Sequence, residues 1–228
     1  MNSPILLTIG ILGGTGKEGK GLAYRWAKAG YRILIGSRHE ERARVVASEL
    51  TNLLDGKAVI EGQDNAAAAK KADLVVLTVP YSAHRQTLEA VHDDLQGKIL
   101  IDVTVPLAPP KLSKVQMPPA GSAAQEAHQI LGSGVEIASA FQTISYTALL
   151  RDEEIHSDVL VTGTSKEARA ETLKLVEAAG LVGWDAGPIE NSVVVEGLTS
   201  ILIGINKKHG TASAGIRISG VPRPSSQQ

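Results

Sequence analysis

The stretch TIGILGGTGKEGKGLA, residues 8–23, decides the fold. An apolar run enters a cluster of six glycines, and a helical pattern leaves it. Glycine loses more backbone freedom on folding than any other residue, so such a density needs a physical reason. Inside the cluster stands Gly14-x-Gly16-x-x-Gly19, after a strand and before a helix, which is the context a dinucleotide-binding turn requires. In that reading Gly14 permits the tight turn, Gly16 lets the backbone approach a pyrophosphate, and Gly19 lets helix and strand pack closely. The free N–H groups and the dipole at the start of the helix favour a phosphate anion. Gly10 and Gly13 belong to the strand and its exit. Gly21 belongs to the helix, where a small residue can lie against the sheet. The bland alternative is a glycine-rich turn that binds nothing; the register of strand, turn and helix weighs against it.

Outward from this turn, strand-like and helix-like runs alternate. Strands are expected at 5–13, 31–37, 57–62, 73–80 and 98–106, and helices at 20–30, 40–54, 64–72 and 82–95. The strands are rich in Val, Ile and Leu on both faces, as parallel strands covered by helices on both sides tend to be. The alternation predicts a Rossmann-type, doubly wound α/β sheet. After Pro106 the pattern changes. Residues 107–121 hold four of the ten prolines and read as a loop. A short helix near 121–131, strands at 135–141 and 158–162, a helix at 165–179, a strand at 181–186 and an apolar helix at 190–208 follow. The expected organisation is a dinucleotide-binding domain over 1–145, a smaller α/β part over 146–218, and a polar, disordered tail over 219–228.

Composition narrows the function classes. A chain of 228 residues suits one large domain or one domain with an appendage. The formal net charge of -1 provides no general field for nucleic acid or acidic membrane. Aromatic residues are 3% of the chain, which argues against base-stacking platforms. The absence of cysteine excludes disulfides and thiolate chemistry and fits a cytoplasmic protein. The N-terminal residues lack the basic region of a signal peptide. The most apolar stretch, 191–206, falls short of the ~20 residues of a spanning helix and is interrupted by Glu196. It reads as a buried or oligomer-interface helix.

The end of the second strand selects the dinucleotide. NAD-binding sheets place Asp or Glu there, to accept the ribose 2′-hydroxyl. This chain has Ser37 and Arg38, with Arg42 one helical turn on. A carboxylate would repel a 2′-phosphate, whereas a hydroxyl and a guanidinium hold it. Thr15 can add a hydrogen bond. The expectation is therefore NADP(H) over NAD; the competing reading is a solvated face of Arg38 and Arg42 with Glu40 and Glu41.

These motifs resemble one family. GGTGKEGKGLA, GSRHEER, DLVVLTVP and the late DAGPIENSVVVEGLT, followed by LIGIN and HGTASAGI, are similar to NADPH-dependent reductases of the deazaflavin coenzyme F420, from the first strand to about Ile216. The first two motifs would also suit the NADPH domain of related metalloreductases; the late ones are more specific. The resemblance implies a small homodimeric oxidoreductase that passes hydride between NADP(H) and F420 in either direction. It implies that Thr15, Gly16, Lys17, Glu18, Ser37, Arg38 and Arg42 hold NADP. Thr78, Val79, Pro80 and Tyr81 would edge the nicotinamide half; Pro80 cannot extend a central strand, so a loop is expected there on physical grounds too. Val105 and Pro106 would border the deazaflavin ring, with Tyr146 near it, and Ala214, Gly215 and Ile216 would close over it. Where some members have histidine this chain has Gln142, which donates a hydrogen bond but does not titrate.

No catalytic constellation stands out, and none is needed, because hydride transfer between two heterocycles asks the protein chiefly to stack them and exclude water. No metal site is expected. His39, His92, His128 and His156 read as surface residues. His84 reads either as a cofactor neighbour or as a surface residue at a helix start. Lys207 and His209 complement a helix C-terminus or meet the coenzyme's anionic tail, and Asp102 reads as a hydrogen-bonded structural group. Leu150, four residues after Tyr146, excludes the Tyr-x-x-x-Lys pair of short-chain dehydrogenases. The alternatives are an NADPH reductase of another acceptor, flavin or ferric chelate, and a non-enzymatic NADP(H)-sensing regulator that uses its apolar C-terminal helix to bind a partner.

Overall fold

The opening turn sits where the strand order of a single sheet reverses. The computed structural model of the chain describes residues 7–223. Strand β1 (Thr8–Leu12) is followed by α1 (Lys17–Lys28), β2 (Arg32–Ser37), α2 (Glu40–Leu53), β3 (Ile60–Asp64), α3 (Asn65–Lys71), β4 (Leu74–Leu77), α4 (Tyr81–Ala90) and β5 (Ile99–Asp102). The second half adds α5 (Ala123–Leu131), β6 (Glu136–Ser139), α6 (Tyr146–Leu149), β7 (Asp158–Gly163), α7 (Lys166–Ala178), β8 (Val182–Pro188) and α8 (Ser192–His209). The strands lie in the order β3-β2-β1-β4-β5-β6-β7-β8, so β1 is flanked by β2 on one side and β4 on the other. Ligands of open α/β sheets bind outside the carboxyl ends of strands at such a switch point.

Strand alternation divides the interior into two layers. Ile9, Ile11, Ile33 and Ile35 face one layer with Trp26 of α1, and Leu12, Leu34, Val75 and Leu77 face the other with Leu88 of α4. The expected elements are present with shifted ends. Residues 5 and 6 of the first expected strand lie outside the described residues, as do 224–228 of the tail. The sheet is parallel except at one place: β7 runs antiparallel to β6, through Ala138↔Gly163 and Ser139↔Thr162. The strand expected over 98–106 ends at Asp102, whose Oδ1 accepts from the backbone N–H of Thr104 at 2.9 Å and turns the chain out of the sheet.

Two details correct the sequence reading. Gly21 does not meet the sheet: a Cβ there would collide with the Leu149 side chain of α6. That four-residue helix is carried by α1, where Arg25 Nε donates to Leu149 O at 2.8 Å and Arg25 Nη2 to Ala148 O at 3.1 Å. Glu196 is more than an interruption of an apolar helix. It is fully buried, and its two carboxyl oxygens accept from the N–H groups of Ala123 (2.7 Å) and Ala124 (3.1 Å), capping α5 from α8. One face of α8 buries Val195 and Leu202, while Val194 and Ile201 on other faces stay 63% and 50% exposed. No helix among the described residues is long and apolar enough to cross a membrane.

Candidate active site

One role in the glycine turn lies a residue earlier than expected, and the other two stand where they were read. The left-handed backbone needed for the tight turn is at Gly13 (φ 73°), not Gly14. Gly14 instead donates its N–H to Ile11 O (3.1 Å) and Gly36 O (3.0 Å), joining β1 to β2. Gly16 caps α1 without any side-chain hydrogen bond, and a Cβ there would meet only Gly13 O, at 3.4 Å. The helix therefore starts with free N–H donors and an open approach, the requirement for an anion site. A Cβ on Gly19 would lie 2.7 Å from both Gly14 Cα and Thr78 Oγ1, so the helix start is pressed onto the exits of β1 and β4.

Arg38 and Arg42 are exposed at the end of β2. Glu40 and Glu41, their expected surface partners, pair with Arg44 instead, at 2.7 and 3.5 Å. Neither Arg38 nor Arg42 has a carboxylate partner among the described residues. Ser37 is buried, and its Oγ accepts from the His39 N–H at 3.2 Å.

A cavity of about 590 Å³ opens at the carboxyl ends of β4 and β5. Its walls are the α1 start (Gly16, Lys17, Glu18), Thr78–Tyr81, Val103–Val105, Leu107, Pro109 and Leu112 of the Pro-rich loop, the run Phe141–Tyr146, the α8 residues Thr199, Leu202, Ile203 and Asn206, and Ala212 and Ala214. Most of the expected site residues therefore converge here: Gly16, Lys17, Glu18, Thr78, Val79, Pro80, Tyr81, Val105, Tyr146 and Ala214. Gly14 and Thr15 form the turn beside it, and Gly19 lies in the first turn of α1. Ser37, Arg38 and Arg42 lie apart at the β2 end, Pro106 adjoins the wall at Val105, and Gly215 packs its bare Cα against Ser157. The sequence reading did not single out Thr104, Phe141 or Thr143. The rule that sites gather at carboxyl ends of strands would have found them after β5 and β6. Nothing in the sequence marks the inward side of α8.

Two wall residues keep a buried acceptor oxygen without a partner, Glu18 Oε1 and Gln142 Oε1. Burial pushes the Glu18 carboxyl up to about 8. Gln142 is fixed by its amide, which donates to Asp102 O (2.9 Å) and Ser139 Oγ (2.8 Å), so its oxygen is the free end. Lys17 Nζ stands 4.8 Å from the Tyr146 ring centre, a cation–π contact. The Tyr81 hydroxyl donates to Glu126 at 2.7 Å; burial, then that bond, pushes it up to about 12.

His84 does not line the cavity and does not face solvent. It is fully buried, with Nε2 2.7 Å from Asp102 Oδ2. Burial works against the imidazolium, yet the Asp102 carboxylate outweighs it and holds the histidine above its ordinary value. Asp102 is the hydrogen-bonded structural group its apolar strand implied. His128, expected on the surface, is half-buried, with Nδ1 unpartnered.

The family model described as NADP oxidoreductase, coenzyme F420-dependent, matches residues 8–106. The chain is 36% identical to the F420-dependent NADP reductase of Methanocaldococcus jannaschii over 220 residues, 93% of this chain and 98% of the relative. It is 37% identical to that of Methanothermobacter marburgensis, over 95% of this chain and 100% of the relative. The chain belongs to the F420-dependent NADP reductase family. The crystal structure of a candidate F420-dependent NADP reductase from Arthrobacter sp. FB24 shares the fold, with a TM-score of 0.78 at 24% identity over 94% of this chain and 100% of that one.

Glu18 gives this family member a pH signature. The unfolded chain releases the Glu18 proton near 4.5, whereas the folded chain retains it up to about 8. Between those values the unfolded state binds fewer protons, so stability falls as pH rises and levels off above about 8. Glu18→Gln removes that slope. Urea unfolding is expected to show the variant more stable at pH 9 by on the order of 1–3 kcal/mol, and level with the parent at pH 4.5. Equal stability at pH 9 would contradict the burial of an unpaired carboxyl.

Proposed function

We propose that this protein transfers hydride reversibly between NADP(H) and the deazaflavin coenzyme F420. The observation that carries this reading is a single cavity bounded by the uncapped start of α1 on one side and by α8 and the C-terminal segment on the other. A dinucleotide laid along the glycine turn and a second heterocycle held from α8 meet in that one space. Its volume is in the range of small-molecule sites, the unpartnered Gln142 oxygen suits a ligand that brings an N–H donor, and the Glu18 carboxyl, protonated near neutrality, can donate or accept.

Gly14, Thr15, Gly16 and Gly19 receive the pyrophosphate, and Lys17 and Glu18 border it. Ser37, Arg38 and Arg42 receive the 2′-phosphate, and their freedom from Glu40 and Glu41 supports this assignment. Thr78, Val79, Pro80 and Tyr81 edge the nicotinamide half. Val105, Pro106, Tyr146, Ala214 and Gly215 border the deazaflavin. The site thus draws on both sides of the boundary near residue 145, with the 1–145 part holding the dinucleotide and the 146–218 part completing the second site. The two coenzymes supply the hydride donor and acceptor. The hydride passes between the ring carbons, and the proton that balances it would be lost or gained at a ring nitrogen of the deazaflavin; the chain aligns the two rings and excludes water with Val79, Val105, Phe141 and Leu202. Gln142 can serve only as a hydrogen-bonding group.

We read the exposed apolar residues of α8, Val194 and Ile201, as the contact with a second copy of the chain, and the cysteine-free composition as that of a cytoplasmic protein. Sedimentation of the pure protein at the mass of a single chain would end the dimer reading.

Mixing the protein anaerobically with reduced F420 and NADP, and following both absorbances, is expected to show one NADPH formed for each deazaflavin oxidised. Turnover with flavin or ferric chelate alone, or cofactor binding without turnover of any acceptor, would overturn the reading. For the 2′-phosphate, Arg38→Glu is expected to weaken NADPH by about 10- to 100-fold, the loss of a charge-assisted hydrogen bond, and to leave NADH nearly unchanged. An equal loss for both would refute the assignment.

A further inference from the structure

The last described residues form a strap that walls the cavity and is fastened at two points. At the near end, Asn206 of α8 takes both bonds: its carbonyl accepts from Thr211 N at 3.1 Å and its Oδ1 from Ala214 N at 2.9 Å. Between these lie Ala212 and Ala214, which line the cavity, as does Asn206 itself. At the far end stands Asp158, the first residue of β7. Its N–H donates to Ile216 O at 2.7 Å, and its Oδ2 accepts from Ile218 N at 2.8 Å. Its Oδ1 accepts from Arg223 Nη2 at 3.1 Å. Ser157 Oγ accepts from Ile216 N at 3.2 Å, and the bare Cα of Gly215 lets the strap lie flat against that serine.

The Asp158 side chain is buried, and Trp184 Nε1 of β8 fixes it at 2.9 Å, so the anchor belongs to the sheet and not to the strap. The residue also reaches the other wall: its carbonyl accepts from Thr143 Oγ1 at 3.4 Å, and Thr143 lines the cavity. A buried carboxylate is retained only where its lone pairs are filled, and here two of the three groups that fill them come from the strap.

We infer that Asp158 and Arg223 are positioning residues for the second substrate: their ion pair holds the Ala212–Ala214 wall in place, so that the deazaflavin meets an ordered site. This rests on the F420 reading above. Neither residue touches the cavity, so the effect falls on the ordering of the wall before binding, which a ligand otherwise has to supply from its own binding energy.

The experiment uses the full chain with Arg223→Ala, Arg223→Lys and Asp158→Asn. Arg223 is a partly exposed residue near the chain end, so its replacement leaves the core intact. Trypsin cleavage after Arg217, followed by mass spectrometry, reads release of the strap. Fluorescence titrations read binding of F420 and of NADPH separately. Arg223→Ala is expected to speed cleavage and raise the Kd for F420, each by about tenfold, with the Kd for NADPH unchanged. Arg223→Lys is expected to recover most of both, and Asp158→Asn to match the alanine variant. Faster cleavage with unchanged F420 affinity would overturn the proposal alone, as would unchanged cleavage or an equal loss for NADPH. A parent protein that binds NADPH but not F420 would overturn the substrate reading and this proposal with it.

Discussion

The site depends on one close approach. At Gly19 the first turn of α1 touches Gly14 Cα and Thr78 Oγ1 with no room for a methyl group. That contact aims the helix start across the exits of β1 and β4, where the strand order reverses. It leaves Gly16 open, and it places Lys17 and Glu18 in the cavity wall. Any side chain at position 19 would lift the helix start from the sheet and take the free N–H donors with it. The rest of the cavity is built around this fixed edge.

The other walls come from segments far apart in sequence, and buried polar residues tie them together. Asp102 is the main tie. Its carboxylate binds His84 of α4 and the N–H of Thr104, and its carbonyl binds the amide of Gln142. One residue at the end of β5 thus sets the helix after Tyr81, the loop at Val103–Val105 and the run after Phe141. Glu196 does the same for α8 by capping α5. Removing one partner of the buried His84–Asp102 pair would leave the other uncompensated, at a cost of about 3–5 kcal/mol. Burial pushes the Glu196 carboxyl up to about 8, so it serves as a hydrogen-bonding cap. These ties therefore favour a single arrangement of the walls.

Much of this was legible in the sequence, for a physical reason. Glycine spacing, β-branched strands and helix periodicity are local signals, and they located the turn, the alternation of strands and helices around it, and the Ser37–Arg38 end of β2. What stayed illegible depends on contacts between distant residues. The helix α6 has four residues, too few for a period, and Arg25 holds it from more than a hundred residues away. His84 was ambiguous because its partner, Asp102, sits on another element. The tight turn is read at Gly14 and found at Gly13, since neighbouring glycines look alike until the hydrogen bonds to Ile11 and Gly36 are known. The inward face of α8 was hidden because both faces of that helix are apolar.

The distribution of polarity explains how such a site can work without an acid or a base. Hydride carries its electron pair with it, so no proton is needed at the two carbons that exchange it, and the balancing proton belongs to a ring nitrogen of the deazaflavin; the chain's tasks at the carbons are alignment and dryness. The ionisable groups near the cavity are arranged accordingly. Asp102 is hydrogen-bonded to His84, Tyr81 is bound to Glu126, and Glu18 retains its proton past neutrality. The guanidinium groups of Arg38 and Arg42, exposed and without carboxylate partners among the described residues, lie outside, where a phosphate rather than a ring would be held. A charge left free inside would favour one oxidation state of a bound nicotinamide over the other, because only the oxidised ring is cationic. Lys17 in the wall, its ammonium over the Tyr146 ring, is such a charge, and it works against a cationic ring beside it.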